Sequence, residues 1–227
     1  MHYIAEIVIP PEWDVTAAVT QVMDSFRSEP DEEDGDLGEA DWWDFWIIGG
    51  RFSGHKVQSS LDKSRLEEFN KELNRRNVTV SGFTSGKQEL SPATQIPMVD
   101  ALWREWFPGA GDKCILFKHS NDQYRKDGYY AEDVCTIDKL PDRLECERLI
   151  VAGPHWNDAS KLMAKRHLAA KFWNGVEHQK TDFDGKVKPA LMAMLAELEK
   201  PPDQQCYSAR GLSLSPAHKV VTVDYHN

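Results

Sequence analysis

Two segments at opposite ends of the chain limit its fold more than anything between them: "HYIAEIVIP" from His2 and "HKVVTVDYH" up to His226. Strand alternation in the first puts Tyr3, Ala5, Ile7 and Ile9 on one face, while Ile4 and Val8 supply apolar groups to the other. In the second, Val221, Val223 and Tyr225 share one face and Val220, Thr222, Asp224 and His226 the other. A strand that is apolar on both faces has to be covered on both, which predicts a central place for the first segment. Both ends of the chain therefore enter a sheet, and the segments between them must supply the layers that cover it.

Those segments read mostly as helices. "EWDVTAAVTQVMDSF" places Val15, Ala18, Val19, Val22 and Phe26 at helical spacing behind a double proline that marks its start. "SRLEEFNKELNRRN" is amphipathic, "MVDALWREWFPG" stops at Pro108 and Gly109, and "KPALMAMLAELEK" stops at Pro201 and Pro202. A basic helix runs from a cap at Asn157 or Asp158 to near Gly175. "KCILFKH", "CERLIVAG" and "DVCTIDKL" have strand composition. The expectation is one α+β domain over 1–227, with a mixed, mainly antiparallel β-sheet that holds both terminal strands. Helices pack on that sheet, and a helical insertion falls around 154–217.

Composition narrows the class. At 227 residues, with 41 % apolar and 28 % charged residues, the chain can bury a full core and is not broadly disordered. Cys114, Cys135, Cys146 and Cys206 lie too far apart for CxxC metal or redox pairs, so reduced structural thiols are expected. The N-terminus lacks a basic leader and no stretch of 18 apolar residues occurs, which predicts a cytoplasmic protein with no membrane partner. Of the net charge of −10, an excess of nine negative charges sits in residues 29–44. An acidic chain repels phosphate backbones, so general nucleic-acid binding is not expected. The run at Asp31, Glu32, Glu33 and Asp34 is either a solvated loop or a surface that meets a basic partner. Lys161, Lys165, Arg166, His167 and Lys171 form the opposite cluster.

One stretch concentrates binding chemistry: "DWWDFWIIGGRFSGHK". Alternation puts Trp43, Phe45 and Ile47 on one face and Trp42, Asp44, Trp46 and Ile48 on the other. Gly49 and Gly50 allow a positive φ or a close approach, and Arg51 then presents a fork of donors suited to carboxylate or phosphate. One reading makes Trp42 and Trp46 an aromatic shelf beside Arg51 and His55. The other is a β-hairpin with core tryptophans and Arg51 paired to Asp41 or Asp44. The chain has no GxxxxGK[ST], GxGxxG, GxSxG or HExxH pattern, which excludes P-loop nucleotide hydrolysis and leaves an enzyme the less expected class. If there is a reaction, His155, Asp224 and His226 are its candidates, with His55 beside them. No metal site or cofactor is expected.

"DWWDFWIIGGRFSG" resembles a W-D-W-x-x-x-G-G-R-W-x-G motif of uncharacterised bacteriophage and bacterial proteins, some of which end in a strand similar to "VTVDYHN". The matching positions are Trp46, Gly49, Gly50, Arg51, Gly54, Asp224 and His226, with Phe52 where the motif has tryptophan. The resemblance covers about a tenth of the chain and implies a phage or mobile-element origin, but no reaction. The function expected first is a phage-derived protein that binds and inhibits a host protein or complex through the acidic loop and the Trp/Gly-Gly-Arg segment. The alternative is a small hydrolase, or a sponge that binds a nucleotide-like, phosphate-containing metabolite without cleaving it.

Overall fold

The computed structural model describes residues 2–24, 45–84, 87–118, 125–126, 129–153, 172–173, 183–205 and 212–226. β1 (His2–Ile9) is followed by α1 (Val15–Asp24). β2 (Phe45–Ile48) leads through a 3-10 turn, Gly50–Phe52, into α2 (His55–Ser60) and α3 (Lys63–Arg75). β3 (Val80–Thr84) and β4 (Lys87–Leu90) precede α4 (Ile96–Trp106) and β5 (Phe117–Lys118). Short strands β6 (Arg125–Lys126), β7 (Tyr129–Tyr130), β8 (Val134–Thr136), β9 (Arg148–Val151) and β10 (Phe172–Trp173) come next. α5 (Val187–Leu198) and β11 (Lys219–His226) complete the chain.

The main sheet has the order β10-β9-β1-β11-β2, with β8 also paired to β11. β1 and β11 lie side by side, antiparallel and in full register from His2↔His226 to Ile9↔Lys219. β11 is also antiparallel to β2 and β8, whereas β9 runs parallel to β1 and to β10. The sheet is mixed and mainly antiparallel, and both terminal strands stand in its middle. β3, β4 and β5 make a second sheet of three strands, and β6 pairs with β7.

Each face of the β1–β11 pair has its own cover. Ala5, Ile7, Ile9, Val221, Val223 and Tyr225 meet Val15, Ala18, Val19, Val22 and Met23 of α1. Asp14 starts that helix by accepting the Ala17 N–H at 2.8 Å, so the cap is the aspartate and not the double proline before it. On the opposite face, Ile4, Val8 and Val220 pack with Leu144, Leu149, Val151, and with Val187 and Leu191 of α5. A third core gathers Phe69, Leu73, Trp103, Phe107, Cys114 and Phe117 from α3, α4 and β5, with Trp103 and Phe107 rings 4.6 Å apart.

About half of the insertion expected around 154–217 lies outside the described residues, and its described helix, α5, belongs to the main core. The basic helix expected to reach Gly175 cannot extend that far: Phe172 and Trp173 pair with Leu149 and Ile150 as a strand, their backbone groups drawn into the sheet by β9. Cys114, Cys135 and Cys146 are free thiols, and burial pushes Cys135 up to about 11 and Cys146 well above the usual thiol range. Among the described residues no helix is long and apolar enough to cross a membrane.

Because β11 has three strand neighbours, removing residues 219–227 takes out the middle of the sheet and not its edge. The expected outcome is loss of cooperative thermal unfolding and aggregation on size-exclusion chromatography. A soluble truncation with a single sharp transition would contradict this topology.

Candidate functional site

On the face of β1 and β11 opposite α1, the apolar rows are interrupted by a polar column. Glu6 and Thr222 are cross-strand partners, and both are fully buried. Lys56, from α2, is 4 % exposed and enters this column. Its ammonium donates to Glu6 Oε2 at 2.7 Å, to the Asp133 carbonyl at 3.0 Å, and to the Thr222 hydroxyl. Thr222 in turn donates to Glu6 Oε1 at 2.8 Å. All three ammonium donors are matched and both carboxylate oxygens are occupied, which is the condition under which a buried charge pair is tolerated.

The Gly-Gly-Arg turn sits against two further buried carboxylates. Gly49 has φ +72° and Gly50 φ +50°. A Cβ at Gly49 would lie 2.1 Å from Asp133 Oδ2, and one at Gly50 would lie 2.5 Å from Asp224 Cβ, so both backbone shape and space demand glycine. Asp133 accepts from the Ser53 hydroxyl at 3.0 Å and the Gly54 N–H at 2.9 Å. Asp224 Oδ2 accepts the Arg51 N–H at 2.9 Å, and its Oδ1 meets His2 Nδ1 at 2.8 Å. The His2 ring packs edge-on to His226, centroids 5.0 Å apart. Burial raises the Asp133 carboxyl above its ordinary value, opposed first by the Gly54 N–H bond.

The pinned backbone of residues 51–54 borders a cavity of about 450 Å³. Arg51, Phe52, Ser53, His55 and Gln58 form one wall, and Asn70 and Asn74 of α3 another. Leu73, Val78, Ile115 and Phe117 make its apolar floor. Among the described residues, no aspartate or glutamate lines it. The Arg51 guanidinium is exposed, and no carboxylate among the described residues pairs with it. His55 Nε2 faces the Glu145 carbonyl at 3.0 Å, which sets it as the donor nitrogen and leaves Nδ1 as acceptor in the neutral ring.

The residues singled out by sequence divide accordingly. Arg51 and His55 share the cavity wall. Asp224 and His226 share a strand face as expected, but Asp224 is 2 % exposed with both oxygens engaged, so it serves as an anchor for the turn. Trp46 packs with the α1-side core beside Tyr225, on the sheet face away from Asp224, so Trp46 and Arg51 do not form one shelf. Phe52 and Phe117 are the aromatics of the cavity lining, and Phe52 also packs against the α5-side core. The hairpin of the other reading does not form, because β2 pairs with β11 and the chain after it turns into α2, but Trp46 packs against the core as that reading has it, and its Arg51 pairing falls on Asp41 and Asp44. Asp31, Glu32, Glu33, Asp34, Asp41, Trp42, Asp44 and His155 lie outside the described residues. Among the described residues no three His, Cys, Asp or Glu side chains converge in a metal-binding group.

Sequence reasoning missed Glu6, Lys56, Asp133 and His2. Glu6 carried a signal, being the one charge inside a strand with apolar residues on both faces. Lys56, Asp133 and His2 carried none, since their partners are 50, 77 and 222 positions away.

Two outcomes follow from the buried groups. Lys56→Met leaves the Glu6 carboxylate without its cation and should cost about 3–5 kcal/mol in urea denaturation. The Lys56→Met/Glu6→Gln double variant should recover part of that loss, a non-additivity read from the four-protein cycle. A cost below about 1 kcal/mol for Lys56→Met would refute the pairing. Because the folded state raises the Asp133 carboxyl, its stabilising contribution is complete below the ordinary carboxylate value and is lost as pH rises through the raised one. Asp133→Asn should therefore gain stability relative to the parent as pH increases from 4 to 7, and a pH-independent difference would count against a buried, titrating carboxyl.

No protein-family model, no curated protein and no solved structure matches the chain. The roles given to Arg51, His55, Asp133 and Asp224 therefore come from their geometry alone.

Proposed function

We propose that this protein binds a nucleotide-like small molecule through its phosphate, in the cavity walled by Arg51 and His55. The carrying observation is the charge of that cavity. In a chain with net charge −10, a recess of about 450 Å³ with an exposed arginine and no lining acid among the described residues favours an anionic ligand. The rest of the lining suits a nucleoside: the Gln58, Asn70, Asn74 and Gln88 amides offer donors and acceptors to a base or sugar, and Leu73, Ile115 and Phe117 offer apolar contact. Arg51 is presented for this by its own backbone, which Asp224 holds while the guanidinium stays at the cavity wall.

Binding without turnover is the form this reading takes. Asp133 and Asp224, the two carboxyl groups against the turn, each already accept two hydrogen bonds and are engaged in holding structure. For a protein of phage origin, such binding would act as a sponge that sequesters a host nucleotide. Inhibition through the acidic run rests on residues 29–44, outside the described set, and draws no support from this cavity.

The test is calorimetric titration with AMP, GMP, CMP and UMP. At least one should bind with Kd below about 1 mM. Arg51→Gln should weaken it roughly 10- to 100-fold, the range for loss of a charge-assisted hydrogen bond, with little change in melting temperature because the side chain is exposed. Arg51→Lys should fall between the two, having the charge without the fork. Absence of binding by all four, or an Arg51→Gln variant that binds as well as the parent, would overturn the reading.

A further inference from the structure

A second cavity, of about 550 Å³, adjoins the first across α2 and α3, and His55, Gln58 and Asn70 line both. These three polar side chains thus form a saddle between two recesses of similar size. The far recess differs in chemistry. It is lined by Lys63, Arg143 and Lys186 together with Glu67, Asp142 and Glu145. Asp142 is already bound to Lys188 at 2.6 Å. Among the described residues Lys63 makes no ion pair, Arg143 has only the longer-range attraction of Asp62, and Glu67 and Glu145 pair with no cation.

We infer that the ligand is dinucleotide-sized: two nucleosides joined through phosphate, lying across the saddle with one unit in each recess. This rests on the reading of the first cavity as a phosphate-binding nucleotide site, and it follows from the contrast between the two linings. The acid-free recess fits the terminal phosphate at Arg51. In the mixed recess, Lys63 and Arg143 suit the bridging phosphate, whereas Glu67 and Glu145 suit the hydroxyl and amine donors of a ribose and base. A single nucleotide fills one recess and leaves the other wet. A ligand with only negative charge would meet the two carboxylates without donors to satisfy them.

The experiment compares the 5′-phosphorylated dinucleotides pApA, pGpG, pCpC and pUpU with their monophosphates, on the full chain. For the base that binds best, the dinucleotide should bind at least 10-fold tighter than the monomer. Glu67→Gln/Arg143→Gln, two exposed positions, should bring that ratio close to 1 and leave monomer affinity unchanged. A dinucleotide no tighter than its monomer, or a ratio untouched by the double variant, overturns the bipartite site. The single-nucleotide reading survives that result if the monomer still binds and still depends on Arg51. Failure of both probes overturns both.

Discussion

The Glu6–Lys56 ion pair is the interaction on which the rest of this arrangement depends. Both groups are withdrawn from water, so each needs the other and the full set of hydrogen bonds around them. Lys56 belongs to a helix of six residues, too short to be stable through its own backbone bonds. Its anchorage is the ammonium, which ties α2 to β1 through Glu6, to β11 through Thr222 and to the Asp133 backbone just ahead of β8. Elements distant along the chain are thereby fixed around one point beneath the cavity.

From this point the turn acquires its shape. Asp133 contributes its carbonyl to Lys56 and its carboxylate to Ser53 and Gly54, so the residue that completes the charge cluster also holds the cavity wall. Asp224 does the same for Arg51 from the other side. The backbone of residues 49–54 is thus pinned by buried carboxylates, while the Arg51 side chain it bears stands at the recess next to His55, the first residue of α2. Pre-organisation of this kind lowers the ordering cost that a flexible loop would incur on binding.

The two faces of the β1–β11 pair divide the work. One is apolar except for Lys219 at its end, which donates to the Trp13 carbonyl, and packs on α1, supplying burial. The other is apolar toward α5 and polar in the column of Glu6, Thr222, Asp224, His2 and His226. Placing the polar groups on one face lets the apolar face and the α5 contact bear the stability while the column sets the geometry of the turn. Trp46 follows this division: strand alternation puts it on the apolar side, next to Tyr225, and leaves Phe52, beyond the end of β2, and Phe117 as the aromatics of the cavity lining.

Much of the fold is a local matter and was therefore legible in the chain. Period-2 alternation in the terminal segments and 3.6-residue periodicity in α1, α3, α4 and α5 depend only on neighbouring residues, and each of these elements forms where that pattern lies. The glycines and Arg51 of the turn were legible for the same reason, since a Gly-Gly step announces an unusual backbone wherever it occurs. The order of the strands, the seating of Lys56 on Glu6 and the meeting of Asp133, Asp224 and His2 beneath one turn were not. Those contacts join residues up to 222 positions apart, and a charge looks the same in sequence whether it will be solvated or buried against a partner. Side-chain pattern decided the longer helices and the terminal strands; the closing of the chain on itself decided whether short elements such as α2 were held, which charges lost their water, and so which residues became anchors and which were left facing the cavity.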